Sequence, residues 1–286
     1  MDNRYFDEFY NKYIIKGEII AETGIHIGTG NSEIKPITLK NPVLKNISGE
    51  PFIPGSSMKG VMRSYLEKIL KIPGFEKINN SVEICTADKS CLSKEEMDKN
   101  FGEKEEKEYK KQRELGHKYF ADYLKKKTCD ICQLFGSGDL SSKILVRDLK
   151  VIEDSFSGFE VRTGISIDRD INIAKDTSLF EIEIIPAGTR FELYLILDNL
   201  DKEEIEWKNI LIVLNSFLNS EIDIGGIKSR GLGQIRLIKD TAHFKKIDIN
   251  NIKNYLINPK SIKDRPLFDE IESKLLNEGE KLCLES

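Results

Sequence analysis

Pro54-Gly55-Ser56-Ser57-Met58-Lys59-Gly60-Val61-Met62-Arg63, continuing as Ser64-Tyr65-Leu66-Glu67-Lys68-Ile69-Leu70-Lys71, carries the clearest pattern in the chain. Met58, Val61, Met62, Tyr65, Leu66 and Ile69 recur three and four residues apart, the spacing of one face of a helix. Ser56 or Ser57 offers a hydroxyl to cap the first turn, and Pro73-Gly74 ends the helix. Upstream, YIIKGEIIAET (13–23) alternates β-branched residues and predicts a strand. A loop rich in Gly, Asn and Pro (24–54) separates the two, with a short extended piece at Pro42-Val43-Leu44. Downstream, KILVRDLKVI (143–152) predicts a strand. Residues 179–185 and 189–197 predict two more, pairing across Pro186-Ala187-Gly188. Residues 201–218 form a second amphipathic pattern, with Ile205, Ile210, Leu211, Leu214, Phe217 and Leu218 inward. A closing strand is expected at 234–239, and a last, peripheral helix at 266–276. In order this is β-α-β followed by β-α-β, so the expected class is α+β, a ferredoxin-like (RRM-like) core.

That core is interrupted. Residues 75–128 turn to Lys and Glu, with runs such as GEKEEKEYKKQRE (102–114), and predict a solvated helical insertion. Residues 158–178 are polar, with Arg162, Thr163, Asp168, Arg169, Asp170 and Lys175, and suit a projecting hairpin. The expected organisation is one domain over 13–240 containing both interruptions, then a helical extension over 241–286. With 286 residues, 39% hydrophobic and 32% charged, the chain can bury a sizeable core and is not disordered. No apolar run approaches the roughly 20 residues that span a bilayer, so no membrane partner is expected. The first 13 residues lack the apolar core of a signal peptide, and a cytoplasmic location is expected. A net charge of −4 argues against indiscriminate binding to nucleic acid but leaves room for a local basic strip.

Two segments could receive an anion. The helix starting near Ser56 exposes unpaired N–H groups. Gly55 and Gly60 allow close approach of another backbone, and Lys59 and Arg63 share one face. The order of residues is not that of a Walker A loop, and the same stretch also reads as an ordinary capped helix with two surface cations. The second segment, IGGIKSRGLG (224–233), sets four glycines beside Lys228 and Arg230. A tight turn before a strand explains it as well. Together the two suggest a polyphosphate backbone crossing the domain. Five cysteines in a chain of this type do not form a disulfide framework. Cys129-x2-Cys132 with Cys85-x5-Cys91 could give four thiolates to a structural Zn²⁺, with His117 as a reserve ligand and Cys283 standing apart. Reduced, partly buried thiols are the alternative. His26, His117 and His243 are scattered, and none sits in a nucleophile motif. His26 reads as a satisfied core or turn histidine.

Taken in order, TGIHIGTG (23–30), NPVLKN (41–46), GEPFIPGSSMKGVMR (49–63), CQLFG (132–136), SSKILVRDLKV (141–151), TGISIDRDINIAKDTSLFEIEIIPAGTRF (163–191) and GGIKSRGLG (225–233) resemble the repeat-associated (RAMP) proteins. The likeness is to the Csm-type backbone subunits of type III CRISPR complexes. It covers about 13–239, leaving out the charged insertion and the C-terminal tail. It implies a ferredoxin-like palm, copies of which stack along a guide RNA, and a thumb at 158–178 that segments the guide–target duplex. It implies guide RNA, complementary target RNA and other effector subunits, including a large polymerase-like one, as partners. The RNA-contacting set would be Ser56, Ser57, Lys59, Arg63, Lys228 and Arg230, with His26 and the hairpin's Arg162 and Arg169. Members that cut target RNA carry an aspartate two residues before the Pro-Val of the loop after the first strand. Here Lys40 stands at that position, and Glu33 is the one carboxylate between His26 and Pro42. Protonated lysine neither binds Mg²⁺ nor serves as the acidic group, so a binding subunit without target cleavage is expected. An endoribonuclease using Glu33 and Mg²⁺ is the alternative.

Overall fold

In the computed structural model of the protein, residues 8–28, 42–73, 82–86, 91, 103–115, 117–138, 140–167, 174–200 and 203–276 are described, the side chains of 103–106, 117–119, 164–167 and 174–180 excepted. The first half contains β1 (Asn11–Ala21), β2 (Phe52–Ile53), α1 (Gly55–Ile69), α2 (Glu103–Glu114), α3 (His117–Lys127), α4 (Asp130–Phe135), β3 (Ile144–Val146) and β4 (Leu149–Lys150). The second half contains β5 (Glu160–Ile167), β6 (Ala174–Ile184), β7 (Arg190–Asp198), α5 (Glu203–Leu218), β8 (Ile235–Leu237), β9 (His243–Asp248), α6 (Ile252–Ile257), β10 (Arg265–Pro266) and α7 (Leu267–Ile271). Lys228–Arg230 form a single 3-10 turn between α5 and β8.

The architecture is mixed α/β around an antiparallel sheet. β1 lies at its centre, pairing with β7 on one side and with β8 and β9 on the other; β3 adds to β7 and β10 to β9. Alternation decides which face is covered. In β7 Phe191, Leu193, Leu195 and Leu197 are buried while Glu192 points to solvent, and in β1 Tyr13, Ile15, Ile19 and Ala21 are buried while Lys16 is exposed. The buried set joins one core with Met58, Met62 and Leu66 of α1 and Trp207, Ile210, Leu211, Leu214 and Phe217 of α5. Each such side chain contributes about 1.5–3 kcal/mol by leaving water. On the other face the Arg147 guanidinium lies 4.0 Å over the Tyr194 ring. Among the described residues no helix is long and apolar enough to cross a membrane.

Four local expectations are corrected. The stretch 143–152 is not one strand: β3 pairs with β7, the chain breaks at Arg147-Asp148, and β4 turns to pair with β2. Residues 179–185 and 189–197 do not pair with each other. β6 pairs with β5, β7 joins the main sheet, and Pro186-Ala187-Gly188 only redirects the chain. β7 carries the buried alternating face that β1 needs as a neighbour, and this outweighs the short turn. Neither Ser56 nor Ser57 caps α1; the cap residue is Pro54, without a side-chain cap bond. The last helix is not peripheral, since Leu267 and Ile271 are fully buried in the main core. Residues beyond 240 also supply β9, because β8 covers only Ile19–Ala21 of β1 and leaves Asn11–Lys16 to be paired.

Candidate nucleic-acid interface and metal centre

Helix α1 begins where the backbone of another segment touches it. A Cβ on Gly55 would sit 2.2 Å from the Val146 carbonyl oxygen, so only glycine fits. The Gly55 N–H donates to Asp148 Oδ1 at 2.8 Å, giving the helix a carboxylate from 93 residues away. An anion arriving at this terminus meets that carboxylate, and the sides of α1 become the surfaces of interest.

One side opens on a cleft of about 460 Å³, lined by Ser57, Gly60, Ser64, Tyr65 and Lys68 of α1 and by Glu221, Asp223 and Lys228 across from them. Both glycine-bearing segments of the sequence therefore meet at one place. Nothing lies within 4 Å of a Cβ built on Gly60, so this turn is open to a partner. The far wall is fixed by close backbone contact. Gly225, at φ +83, would put a Cβ 2.3 Å from the His26 carbonyl oxygen, which instead accepts the Gly226 N–H at 2.8 Å. Ile227 follows at φ 61, a left-handed conformation that costs a β-branched residue about 1–2 kcal/mol. Its side chain packs on Ile182, Ile184 and Leu232, which offsets that strain. Lys228 Nζ donates to the Asp223 carbonyl at 2.7 Å, and Arg230 is exposed beside it. Cations, hydroxyls and two carboxylates in one cleft can hold an anionic chain that also carries hydroxyl groups.

The other side of α1 carries Lys59, Arg63 and Glu67, and it faces inward. Lys59 Nζ donates to Ser142 Oγ at 2.7 Å, and burial, followed by the Arg63 charge, lowers its pKa. Arg63 is 13% exposed, with Nε 2.9 Å from Glu67 Oε1 and Nη1 3.1 Å from the Gly136 carbonyl oxygen. Its Nη2 lies 3.6 Å from Cys132 Sγ and 3.8 Å from Cys85 Sγ. The sequence places Lys59 and Arg63 on one face; the fold points that face at the cysteines and not at the cleft.

Cys85, Cys91, Cys129 and Cys132 bring their sulfurs within 4.8 Å of one another, Cys85 lying 3.4 Å from Cys129 and 3.3 Å from Cys132. A tetrahedral Zn²⁺ with Zn–S bonds of about 2.3 Å needs S···S edges of about 3.8 Å, so the donor set fits. Hydrogen bonds with Cys132, Cys85 and Cys91 lower the Cys129 pKa, while the bond with Cys129 before all others raises those of Cys132 and Cys91. Cys85 falls to about 7, its bond with Cys129 raising it and those with Cys132 and Cys91 lowering it. Cys129 precedes α4 and Cys132 lies within it, while Cys85 and Cys91 belong to the charged insertion, so the cluster joins insertion to core.

A third constellation sits at the base of the β5–β6 hairpin. Glu183, 5% exposed, accepts the Val43 N–H at 2.9 Å and the Lys45 ammonium at 2.8 Å. Lys45 Nζ also lies 4.1 Å from the Phe159 ring centre. His26 is buried, and its Nδ1 is 2.8 Å from the Glu183 carbonyl oxygen, the contact of a satisfied histidine. Gly28 and Val43 form an isolated bridge, so the two ends of the intervening segment are held together. Lys40 and Glu33 lie within that segment, outside the described residues, as do Arg169 and Cys283; the His117 side chain is likewise not described. Arg162 is exposed on β5.

Sequence reasoning missed Lys68, Glu183 and Asp148. Lys68 was legible, since 57, 60, 64 and 68 follow helical spacing along the cleft. Glu183 and Asp148 act on partners far along the chain, and nothing local marks them.

The chain is 27% identical to the CRISPR system Cms endoribonuclease Csm3 of Methanothermobacter thermautotrophicus, over 79% of this chain and 84% of that protein. It is 26% identical to the protein of the same description from Methanocaldococcus jannaschii, over 79% and 78%, and 27% identical to that from Streptococcus thermophilus, over 86% and 97%. The model of the RAMP superfamily matches residues 18–236, which takes in the end of β1 from Glu18, α1, the cysteine pair at 129 and 132, the hairpin and the glycine loop; the chain belongs to the RAMP superfamily.

Proposed function

We propose that the chain is an RNA-binding backbone subunit of a type III CRISPR ribonucleoprotein. The observation that carries this is the meeting of the two glycine-bearing segments at one cleft, in a member of a family whose similar proteins are described as Csm3. Sheet order β8-β1-β7-β3, with α1 and α5 as crossovers, supports reading 13–240 as a ferredoxin-like palm interrupted at 75–128, with β9 and α7 of the 241–286 extension packed onto the same sheet and core. The stretch of about 158–178, which holds β5 and the start of β6, is then the thumb, with Arg162 and Arg169 as its RNA-contacting residues. Ser57, Lys68 and Lys228 in the cleft, with the exposed Arg230 two residues further along the chain, take guide phosphates, while pairing between guide and target supplies sequence specificity. Other effector subunits, including a large polymerase-like one, are the partners. The four cysteines hold one structural Zn²⁺ that pins the insertion; His117 is not needed to complete the set.

The relatives are called endoribonucleases, and this chain is read as one that binds target RNA without cutting it. In-line attack needs a group that takes a proton or holds Mg²⁺ beside the scissile phosphate. Lys40 presents a cation there, which aids binding of the phosphate and opposes the metal. The test uses end-labelled target RNA with Mg²⁺ or Mn²⁺ and the assembled complex. Lys40→Asp is expected to raise cleavage by about two to four orders of magnitude. Evenly spaced products from wild type that vanish in Glu33→Ala would replace this reading with the nuclease.

A further inference from the structure

Arg63 has a planar fork of five donors, and the fold uses every nitrogen of it. Nε goes to Glu67, Nη1 to the Gly136 carbonyl and Nη2 to two cysteine sulfurs at 3.6 and 3.8 Å. Three separate parts of the chain are joined by this one side chain: the middle of α1, the turn after α4, and Cys85 of the insertion. Four thiolates around a divalent cation leave a net charge of about −2 on the centre. Two of the four sulfurs belong to buried cysteines and two to half-buried ones, and an anion of that size so far out of water requires hydrogen bonds or an opposite charge nearby. Arg63 supplies both, and the Glu67 carboxylate, itself buried, fixes the plane of the fork.

We propose that Arg63 is an outer-sphere donor of the four-cysteine centre and the positioning residue that ties α1 to it. The inference rests on the metal reading above and adds to it a specific role for a basic residue that the sequence had directed at RNA. An N–H···S bond draws electron density from a metal-bound thiolate. Removing it makes the sulfur a better donor toward the metal's empty orbitals and weakens the orientation of the ligand.

The test uses the full-length protein reconstituted with Co²⁺, comparing wild type with Arg63→Met, Arg63→Lys and Lys59→Ala. In Arg63→Met the sulfur-to-cobalt charge-transfer bands should move to lower energy. Metal affinity, read by chelator competition, should fall about 10- to 100-fold. Arg63→Lys should recover part of the shift, because one ammonium can reach one sulfur but cannot fork. Lys59→Ala, one turn away and bonded to Ser142, should leave bands and affinity unchanged. Wild-type bands and affinity in Arg63→Met would overturn the proposal. If Arg63→Met does not fold, Glu67→Gln keeps the guanidinium but loosens its orientation. It should move the same bands by a smaller amount, and no movement would count against the proposal. A wild type that gives no charge-transfer band at all would instead bring down the metal reading, and this inference with it.

Discussion

Helix α1 has two polar stripes of nearly equal length and similar chemistry, and the fold treats them in opposite ways. Lys59, Arg63 and Glu67 lie one turn apart along one side, with their charges spent on Ser142, the Gly136 carbonyl and the cysteine sulfurs. Ser57, Gly60, Ser64 and Lys68 lie along the other and border the cleft, where a side chain on Gly60 would meet open space. A basic residue on a helix thus says little about its partner until the neighbours of its stripe are known. The inner stripe holds the protein to itself; the outer one is available to something else.

The largest expected effect comes from undoing what the inner stripe is anchored to. Cys129→Ser should take bound zinc from about one per chain to near none, and should open the 75–128 insertion to proteolysis. Among its described residues the insertion has one small apolar cluster of its own, around Tyr109 and Leu124. Elemental analysis and limited digestion measure both, and unchanged zinc would break the contrast at its base.

The two glycines of α1 give the next test. Gly55→Ala puts a methyl against the Val146 carbonyl and should destabilise the fold by about 1–3 kcal/mol, as overpacking does. Gly60→Ala meets open space inside a helix and should stabilise it by about 0.4–1 kcal/mol in denaturant unfolding. If RNA approaches that turn closely, Gly60→Ala should nonetheless bind guide RNA more weakly. A stabilised protein with undiminished RNA affinity would remove Gly60 from the interface.

Smaller still is the effect of charge. Lys68→Ala with Lys228→Ala should weaken guide RNA about tenfold and flatten the salt dependence by roughly 0.7 per lost phosphate contact. Lys59→Ala should leave the salt slope as it is, since its ammonium is given to Ser142. Equal slopes in both variants, measured by titration at several salt concentrations, would mean that the stripes do not differ in the way described.

Much of this was open to reading in the sequence. The apolar spacing from Met58 to Leu66 gives α1, alternation gives β1 and β7, and the glycines at 225 and 226 mark a tight approach that proves to be against His26. The four cysteines, despite their irregular spacing, do meet. What escaped was decided by contacts across long stretches of chain. A serine beside a helix start looks like a cap, but Asp148 reaches the first N–H, and no local rule ranks a distant carboxylate above a near hydroxyl. Two alternating strands around Pro186-Ala187-Gly188 look like a hairpin, yet each has a better neighbour elsewhere. The face of Lys59 and Arg63 was correctly grouped, and its direction was not legible, because the spacing of cations does not reveal which side of a helix the rest of the fold will cover.

The bridge between Gly28 and Val43, backed by the Leu44 N–H to the Ile27 carbonyl at 2.8 Å and by Glu183 on the Val43 N–H, has a bearing on how such a protein can change over generations. Both ends of the segment are thus tied by the surrounding fold. Lengthening it twofold would cost only about 0.6 kcal/mol in closure entropy. A substitution at position 40 removes none of these end contacts. Under the proposed function, a lineage could therefore change the chemistry of this segment by single steps without undoing the contacts that hold its ends.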